Sequence, residues 1–476
     1  MSNKAISKTV YAILIIVILV AVVGGLYAYI TATQKPKEVT LVVLSPEWEP
    51  GKIAEELSQK FTEYAEKVLG YKVYVKYDFT PWGTYYQRVM SIVASKSPEA
   101  DLIFADSQWL GELAEGGHII SIKDLVEKDP ELRYALLEDT YENLVYYYTA
   151  YPQGSDNYYG VPGYPDVTRL LFFRKDLFSH PEERAAFKAK YGYDLPLTLD
   201  DWKKIDWVQL RDIAEFFTRK KGEKLAGQVL DEDFYGIVLV LSRDYDFISC
   251  YFLDVFWSWG AELWDPVTHD PRGYINSSVA KEALRFFVSL VDYMPPGAPT
   301  IGYDEAISIY SQGKAAMVIL WPSMAPALFD PKVSVVADKT GVAILPHHNG
   351  VRYSTLGGQP LVISAYSKHK EEAKLYLKWF YTNIEFQKEF ALRTGMTARK
   401  SIAESPEFLE AKPWTRAFME SMRQAKDFWN IPYYGRMLEV QQIYLNKAVA
   451  KEIDPDTALD IIAAEQWKIV KEAEKK

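Results

Sequence analysis

Residues 39–77 read VTLVVLSPEWEPGKIAEELSQKFTEYAEKVLGYKVYVKY. The run VTLVVLS (39–45) is apolar throughout and of strand length, as in a strand covered on both faces. In the next stretch Ile53, Leu57, Phe61 and Tyr64 fall at helical spacing, and Gly70 supplies a helix stop. YKVYVKY (71–77) is a second strand. Strand, helix, strand in this order is a βαβ unit, which predicts a parallel sheet and an α/β fold.

The same grammar continues outward. A helix is expected over about 84–95, and DLIFA (101–105) gives a third strand. YGVPG (159–163) and RLLFFRKDLF (169–178) repeat the pattern more loosely. A second block follows. LTLDDWKKIDWVQLRDIAEFFTRK (197–220) is an amphipathic helical run entered through Thr198 and Asp200. DFYGIVLVLS (233–242) is strand, and NSSVAKEALRFFVSLVDYM (276–294) is a helix whose Ala283, Phe287, Leu290 and Val291 share a face. In YDEAISIYSQGKAAMVILW (303–321) a helix stops at Gly313 and a strand runs to Trp321. GVAILPHH (341–348) and LVISAYS (361–367) are strands, KEEAKLYLKWFYTN (370–383) is a helix, and 411–476 is nearly all helical in pattern.

Composition narrows the function. A net charge of −10 on 476 residues, with no basic stripe, argues against nucleic acid. The one cysteine, Cys250, sits in an apolar run, which excludes a disulfide framework and a paired-cysteine metal site. His347 and His348 are adjacent and would point to opposite faces of a strand, so no metal site is expected, and no cofactor. Aromatics make up 14% of the chain, with 34 Tyr and 13 Trp, residues suited to surfaces that are part apolar and part wet.

Residues 10–30, VYAILIIVILVAVVGGLYAYI, carry no charge and are long enough for a transmembrane helix. Lys4 and Lys8 precede them and favour a cytoplasmic N-terminus. The expectation is a retained anchor with the bulk of the chain on the extracellular side. KAIS (4–7) also resembles the pilin-like leader, a signal peptide cleaved after the Ala, of archaeal surface binding proteins.

In open α/β sheets, ligands bind beyond the carboxyl ends of strands. Those positions give Ser45, Glu47 and Trp48 after the first strand, then Asp106, Ser107, Gln108 and Trp109 after the third. Tyr164 and Asp166 precede RLLFF, Trp321 follows MVIL, and Gly357, Gly358 and Gln359 stand in STLGGQPLVIS (354–364). Carboxylates, amides and hydroxyls match sugar hydroxyls, and indoles cover sugar C–H faces. Trp109 reads equally as core at a helix start, and Asp106 equally as a helix cap. Trp257 belongs to the second-block core or to a cleft. The glycine pair is either a tight strand-entry turn or a bare wall against which a ligand lies.

Several stretches resemble one family: SPEADLIFADSQWLGELAEGGHIISI, YGVPGYPDVTRLLFFRKDLF, YGYDLPLTLDDWKKI, GKAAMVILWPSMA, GVAILPHHNGVRYSTLGGQPLVISAYSKHKEEAKLYLKWF and ALRTGMTARKSI. In this order they are similar to extracellular solute-binding proteins of ATP-driven (ABC) sugar importers, the family-1 type related to maltose- and trehalose-binding proteins. The resemblance implies the two-lobe periplasmic-binding-protein-like fold of type II, hinged around a sugar. It implies an anchor and linker over 1–37, a first lobe from 38–163 with 342–388, and a second from 164–341 with 389–476. It also implies a non-enzymatic monomer that delivers a mono- or oligosaccharide to a permease with its ATPase. Arg399 in TARKSI is a further ligand candidate or a brace for the C-terminal helices, and Ala105 stands where some relatives place a stacking Trp. On this reading Gly357 and Gly358 form a bare-backbone floor. A surface glycoside hydrolase using Glu47 and Asp106, and a receptor for a peptide or polyamine, are the competing readings.

Overall fold

The computed structural model describes residues 17–22 and 38–475. Nine strands build its two main sheets. They are β1 (Glu38–Pro46), β2 (Lys72–Thr80), β3 (Leu102–Phe104), β4 (Gly160–Tyr164), β5 (Leu170–Arg174), β6 (Tyr235–Val238), β7 (Ala315–Leu320), β8 (Thr340–Ala343) and β9 (Gln359–Ile363).

The first sheet has the order β2-β1-β3-β9-β4. The opening unit is parallel, as the βαβ pattern requires: Val43 lies opposite Tyr77 on β2 and Leu102 on β3. The sheet as a whole is mixed, because β9 returns from far along the chain and runs antiparallel to β3 and β4. β1 is buried on both faces only from Val43 to Pro46, the half that reaches the cleft. The helix expected between β1 and β2 is two, Glu49–Ser58 and Phe61–Leu69. Bonds from Gln59 and Lys60 to carbonyls three residues back tighten the turn between them. Gly70 closes the second at φ 77°, a left-handed angle open to glycine.

The second sheet has the order β8-β5-β7-β6, with β5 antiparallel to both neighbours and β6 parallel to β7. The run over 197–220 divides into Leu199–Trp202 and Trp207–Phe217, because each piece has its own capping box, at Thr198 and at Asp206. The C-terminal segment is less helical than its pattern. Helices Thr415–Ser421 and Tyr434–Val449 are separated by a stretch in which Ala425 and Lys426 pair with Ser354 and Thr355, and the helix Pro455–Ala473 follows.

The chain passes between the sheets at 165–169 and at 344–358, and the C-terminal segment leaves the first lobe near 395. Arg169, fully buried on the first passage, fixes the second. Its Nε donates to Asp254 Oδ2 at 3.1 Å and its Nη2 to Thr355 Oγ1 at 3.3 Å. Asp254 in turn accepts from the Thr355 backbone N–H at 2.7 Å. Burial opposes the guanidinium charge, and the touching Asp254 carboxylate outweighs it, so Arg169 stays protonated. Arg399 plays the corresponding part on the third passage. Its Nε donates to Asp139 at 2.7 Å and its Nη1 to the Tyr381 carbonyl at 2.8 Å.

The expected span over 10–30 lies outside the described residues except for 17–22, which are helical. Among the described residues no helix is long and apolar enough to cross a membrane.

Removing one partner of a buried ion pair strands the other charge, at about 3–5 kcal/mol. Asp254→Ala is expected to lose stability of that order in denaturant unfolding, since Arg169 has no water to fall back on. A loss below about 1 kcal/mol would show that the passages are held otherwise.

Candidate functional site

Between the sheets lies a cavity of about 600 Å³ walled by both lobes. From the first lobe come the turns that follow β1, β2 and β3. The turn after β1 is tied to β2 by Glu47 N–H donating to the Thr80 carbonyl at 2.8 Å, and it presents Glu47 and Trp48. Trp48 stacks on Trp82, with ring centres 5.9 Å apart and 18° between planes, and meets Tyr164 edge-on at 5.2 Å. Its Nε1 is buried with no acceptor. The turn after β3 is pinned to the glycine pair by Ser107 N–H donating to the Gly358 carbonyl at 3.2 Å, and it brings Asp106 and Gln108 to the cavity.

The second lobe answers with Trp321 at the end of β7. Its Nε1 donates to the Tyr303 hydroxyl at 2.6 Å, and Phe247 packs edge-on against Tyr303 at 4.4 Å. Asp166 accepts from Ser323, through the backbone N–H at 3.2 Å and through Oγ. Tyr245 bridges the lobes. Its hydroxyl donates to Asp106 Oδ2 at 3.0 Å and accepts from Trp109 Nε1 at 2.6 Å. Its φ of 39° is one that a non-glycine residue holds only where its surroundings enforce it.

The carboxyls here are held neutral more than water would hold them. Burial pushes Asp166 up to about 7, against the Ser323 bonds, and Asp427 up to about 7. Burial pushes Asp246 up to about 6. Asp106 rises well above the carboxylate range through burial, then through repulsion from Asp246 and Asp427.

Of the sequence candidates, Glu47, Trp48, Asp106, Gln108, Asp166, Trp321, Gly357 and Gln359 meet at this cavity. Ser45 and Tyr164 lie behind it, sharing a hydroxyl–hydroxyl bond of 2.9 Å, with Tyr164 stacked on Phe104 at 3.8 Å. Ser107 is buried behind the same turn. Trp109 lines a small aromatic cavity next to the cleft, with Trp82 and Tyr86. Trp257 is core, edge-on to Phe428, and Arg399 braces the C-terminal passage. The glycine pair is chiefly a packing device. A Cβ on Gly357 would sit 2.7 Å from the Trp321 ring, and one on Gly358 would sit 2.8 Å from the Tyr148 ring. Only Gly357 borders the cavity. Gly358→Val is therefore expected to lower the melting temperature through the Tyr148 clash; an unchanged melting temperature in calorimetry would mean the ring has room to move.

Several wall residues escaped the sequence reading: Trp82 and Gly83, then Asp244, Asp246 and Phe247, then Gly302 to Glu305. The first group follows β2 directly and the second lies beyond β6, so the strand-end rule reaches both. The third opens the helix Tyr303–Ser311 and carries no strand-end signal.

A pH dependence follows from the raised carboxyls. Folded Asp166 keeps a proton up to about pH 7 that the unfolded chain releases near 4. This contribution to stability is complete below about pH 4 and is lost as pH rises through about 7, at no more than about 1.4 kcal/mol per pH unit. Asp166→Asn is expected to gain stability on the wild type between pH 5 and 8; parallel melting curves for the two would overturn the assignment.

The model of the family described as bacterial extracellular solute-binding protein matches residues 50–385. Among curated proteins, the mannitol-binding protein of Pseudomonas aeruginosa is 26% identical over 294 residues, 59% of each chain. The maltotriose-binding protein of Pyrococcus abyssi is 25% identical over 312 residues, 64% of this chain and 55% of that one. The chain thus spans little more than half the length of these relatives. Among solved structures, a maltose-bound protein of T. maritima superposes with a TM-score of 0.70 at 22% identity, over 90% of this chain and 100% of that one. A ribitol complex of a solute-binding protein from Agrobacterium radiobacter gives 0.70 at 23%, over 91% and 100%. These structures share the two-lobe fold, and with the family match over most of its length the chain belongs to the bacterial extracellular solute-binding proteins.

Proposed function

We propose that the protein is the sugar receptor of an ABC-type importer. It takes a mono- or oligosaccharide into the cleft outside the cell and delivers it unaltered to a permease with its ATPase. The observation that carries this is the composition of the cavity wall. Indoles from both lobes, Trp48 and Trp82 on one side and Trp321 on the other, offer faces for sugar C–H surfaces. Between them stand carboxylates and amides to bond hydroxyls, and the unfilled Trp48 Nε1 donor. A volume of about 600 Å³ suits a small molecule. Relatives named for mannitol and maltotriose support the same class.

The two lobes, the first from 38–163 with 342–388 and the second from 164–341 with 389–476, would close on the guest about the passages that join them. The protein acts as a monomer at the extracellular face of the membrane, held there by the apolar stretch 10–30.

A thermal-shift panel of mono-, di- and oligosaccharides on the full chain tests the reading. A sugar at 100 times its Kd is expected to add about 2.7 kcal/mol of stability. Trp48→Ala is expected to weaken that sugar about tenfold or more in calorimetry while leaving the fold intact, since Trp48 lies on a half-buried turn. Turnover of a chromogenic glycoside, or no shift with any sugar, would overturn it.

A further inference from the structure

The cleft wall is one-sided in charge. Eight of its residues are Asp or Glu, and among the described residues none of those lining it is Lys, Arg or His. Part of this acidity has a local cause. Glu49, Asp304 and Glu305 stand in first turns of helices and Asp246 just before one, where the helix dipole favours negative charge. Asp166 is bonded to Ser323, and Asp244 Oδ2 accepts from the Ser242 hydroxyl at 2.8 Å.

Asp106 also stands just before a helical turn, Ser107–Trp109, as the sequence allowed, yet its side chain makes no capping bond there. It is 3% exposed, its Oδ2 is met by Tyr245, and its Oδ1 forms no hydrogen bond although it is buried at the cavity. The amide oxygens of Gln108 and Gln359, both buried and both at the cavity, are also unfilled. The guanidinium behind this wall, Arg169, is paired with Asp254 and lies beneath the Trp321 ring, 4.7 Å from its centre; its charge reaches Asp246 as well, while the charges felt by Asp106 are those of Asp246 and Asp427. A cleft of unfilled acceptors and uncompensated carboxylates needs a guest rich in donors. A hydroxyl fills an acceptor, whereas a carboxylate removed from water needs a proton or a cation to cancel its charge. Indole and phenol rings at the same cavity favour a cation as well.

We propose that the guest is an amino-substituted sugar whose protonated amine is received by Asp106. This rests on the sugar-receptor reading and names the class of sugar. The carboxyls pushed up by burial fit it: burial makes Asp106 and Asp166 favour a proton, and a protonated amine would take that proton's place.

Calorimetry on the full chain with matched series tests it. The probes are glucose, N-acetylglucosamine and glucosamine, the same three of the galacto series, and the β-1,4-linked dimers cellobiose, diacetylchitobiose and glucosamine dimer. Putrescine and spermidine form a separate arm. In at least one series the amine is expected to bind about tenfold tighter than both uncharged members. Asp106→Asn is expected to erase that advantage. Uncharged members that bind as well as or better than the amine in every series would overturn the inference and leave the sugar reading standing. An amine advantage that survives in Asp106→Asn would overturn the role of Asp106. Binding of the linear polyamines alone, or of no probe, would overturn both readings. Should Asp106→Asn fail to fold, the wild-type series decides, because the N-acetyl member keeps the nitrogen without its charge and the parent sugar lacks the charge without the added acetyl bulk.

Discussion

The contact on which the rest of the molecule depends is the buried pair of Arg169 and Asp254. Two lobes joined by three strips of chain gain no shape from the strips alone. Arg169 lies on one strip, bonds Thr355 on the next, and is anchored by Asp254 on the helix Phe247–Ser258. Its Nη2 also donates to the Cys250 carbonyl at 2.5 Å. Two strips and one helix therefore move as one body. The same guanidinium supports the Trp321 ring from behind, and Trp321 is cleft wall. The passages between the lobes and the cavity wall thus meet in one contact, Arg169 against Trp321. On the closure proposed above, a guest resting on Trp321 would bear on the residue that ties two of the passages together.

The glycine pair belongs to this mechanism. Neither glycine has a positive φ, so conformational freedom is not what these positions require. The requirement is thinness. Gly357 lets the Trp321 ring lie against the strip, and Gly358 lets Tyr148 reach in to donate its hydroxyl to the Tyr164 carbonyl. A side chain at either place would separate the strip from the lobe it bridges. The wall is narrow because three backbones and two rings occupy a space that leaves no room for a Cβ.

What the sequence made legible followed from periodicity and from strand ends. The βαβ opening predicted parallel pairing of β1, β2 and β3, and the strand-end rule found Glu47, Trp48, Asp106 and Trp321 at one cavity. It could not predict which way a residue on a tight turn faces. Asp106 and Gln108 reach the cleft while Ser107 and Trp109, between and beside them, turn inward. Nor could periodicity give the direction of β9, read as a strand over 361–367, because its antiparallel place depends on a pairing more than 250 residues apart along the chain. Trp257 and Arg399 carried chemistry suited to a site, yet three-dimensional neighbours, Phe428 and Asp139, claim them for packing. Trp82 is the instructive omission, because it follows β2 as directly as Trp48 follows β1.

The cleft gathers polar groups that the protein itself does not answer. Unfilled acceptors at Asp106, Gln108 and Gln359, a buried indole N–H at Trp48, and a left-handed φ at Tyr245 all gather where the lobes meet. Each unmade hydrogen bond of a buried group costs about 1–3 kcal/mol, a large share of the margin by which a domain is stable. The core of the first lobe shows the opposite policy: Ser58, Tyr77 and Tyr376 share their hydroxyl bonds among themselves. Unanswered buried groups occur elsewhere too, the Trp202 and Trp207 indoles and the Gln441 amide among them, but at this cavity four of them, on Trp48, Asp106, Gln108 and Gln359, meet in one place. A guest that fills those groups gains affinity from them. A guest that fits the indoles but leaves Asp106 unanswered forgoes those bonds, so selectivity at this site comes from the polar groups more than from the rings.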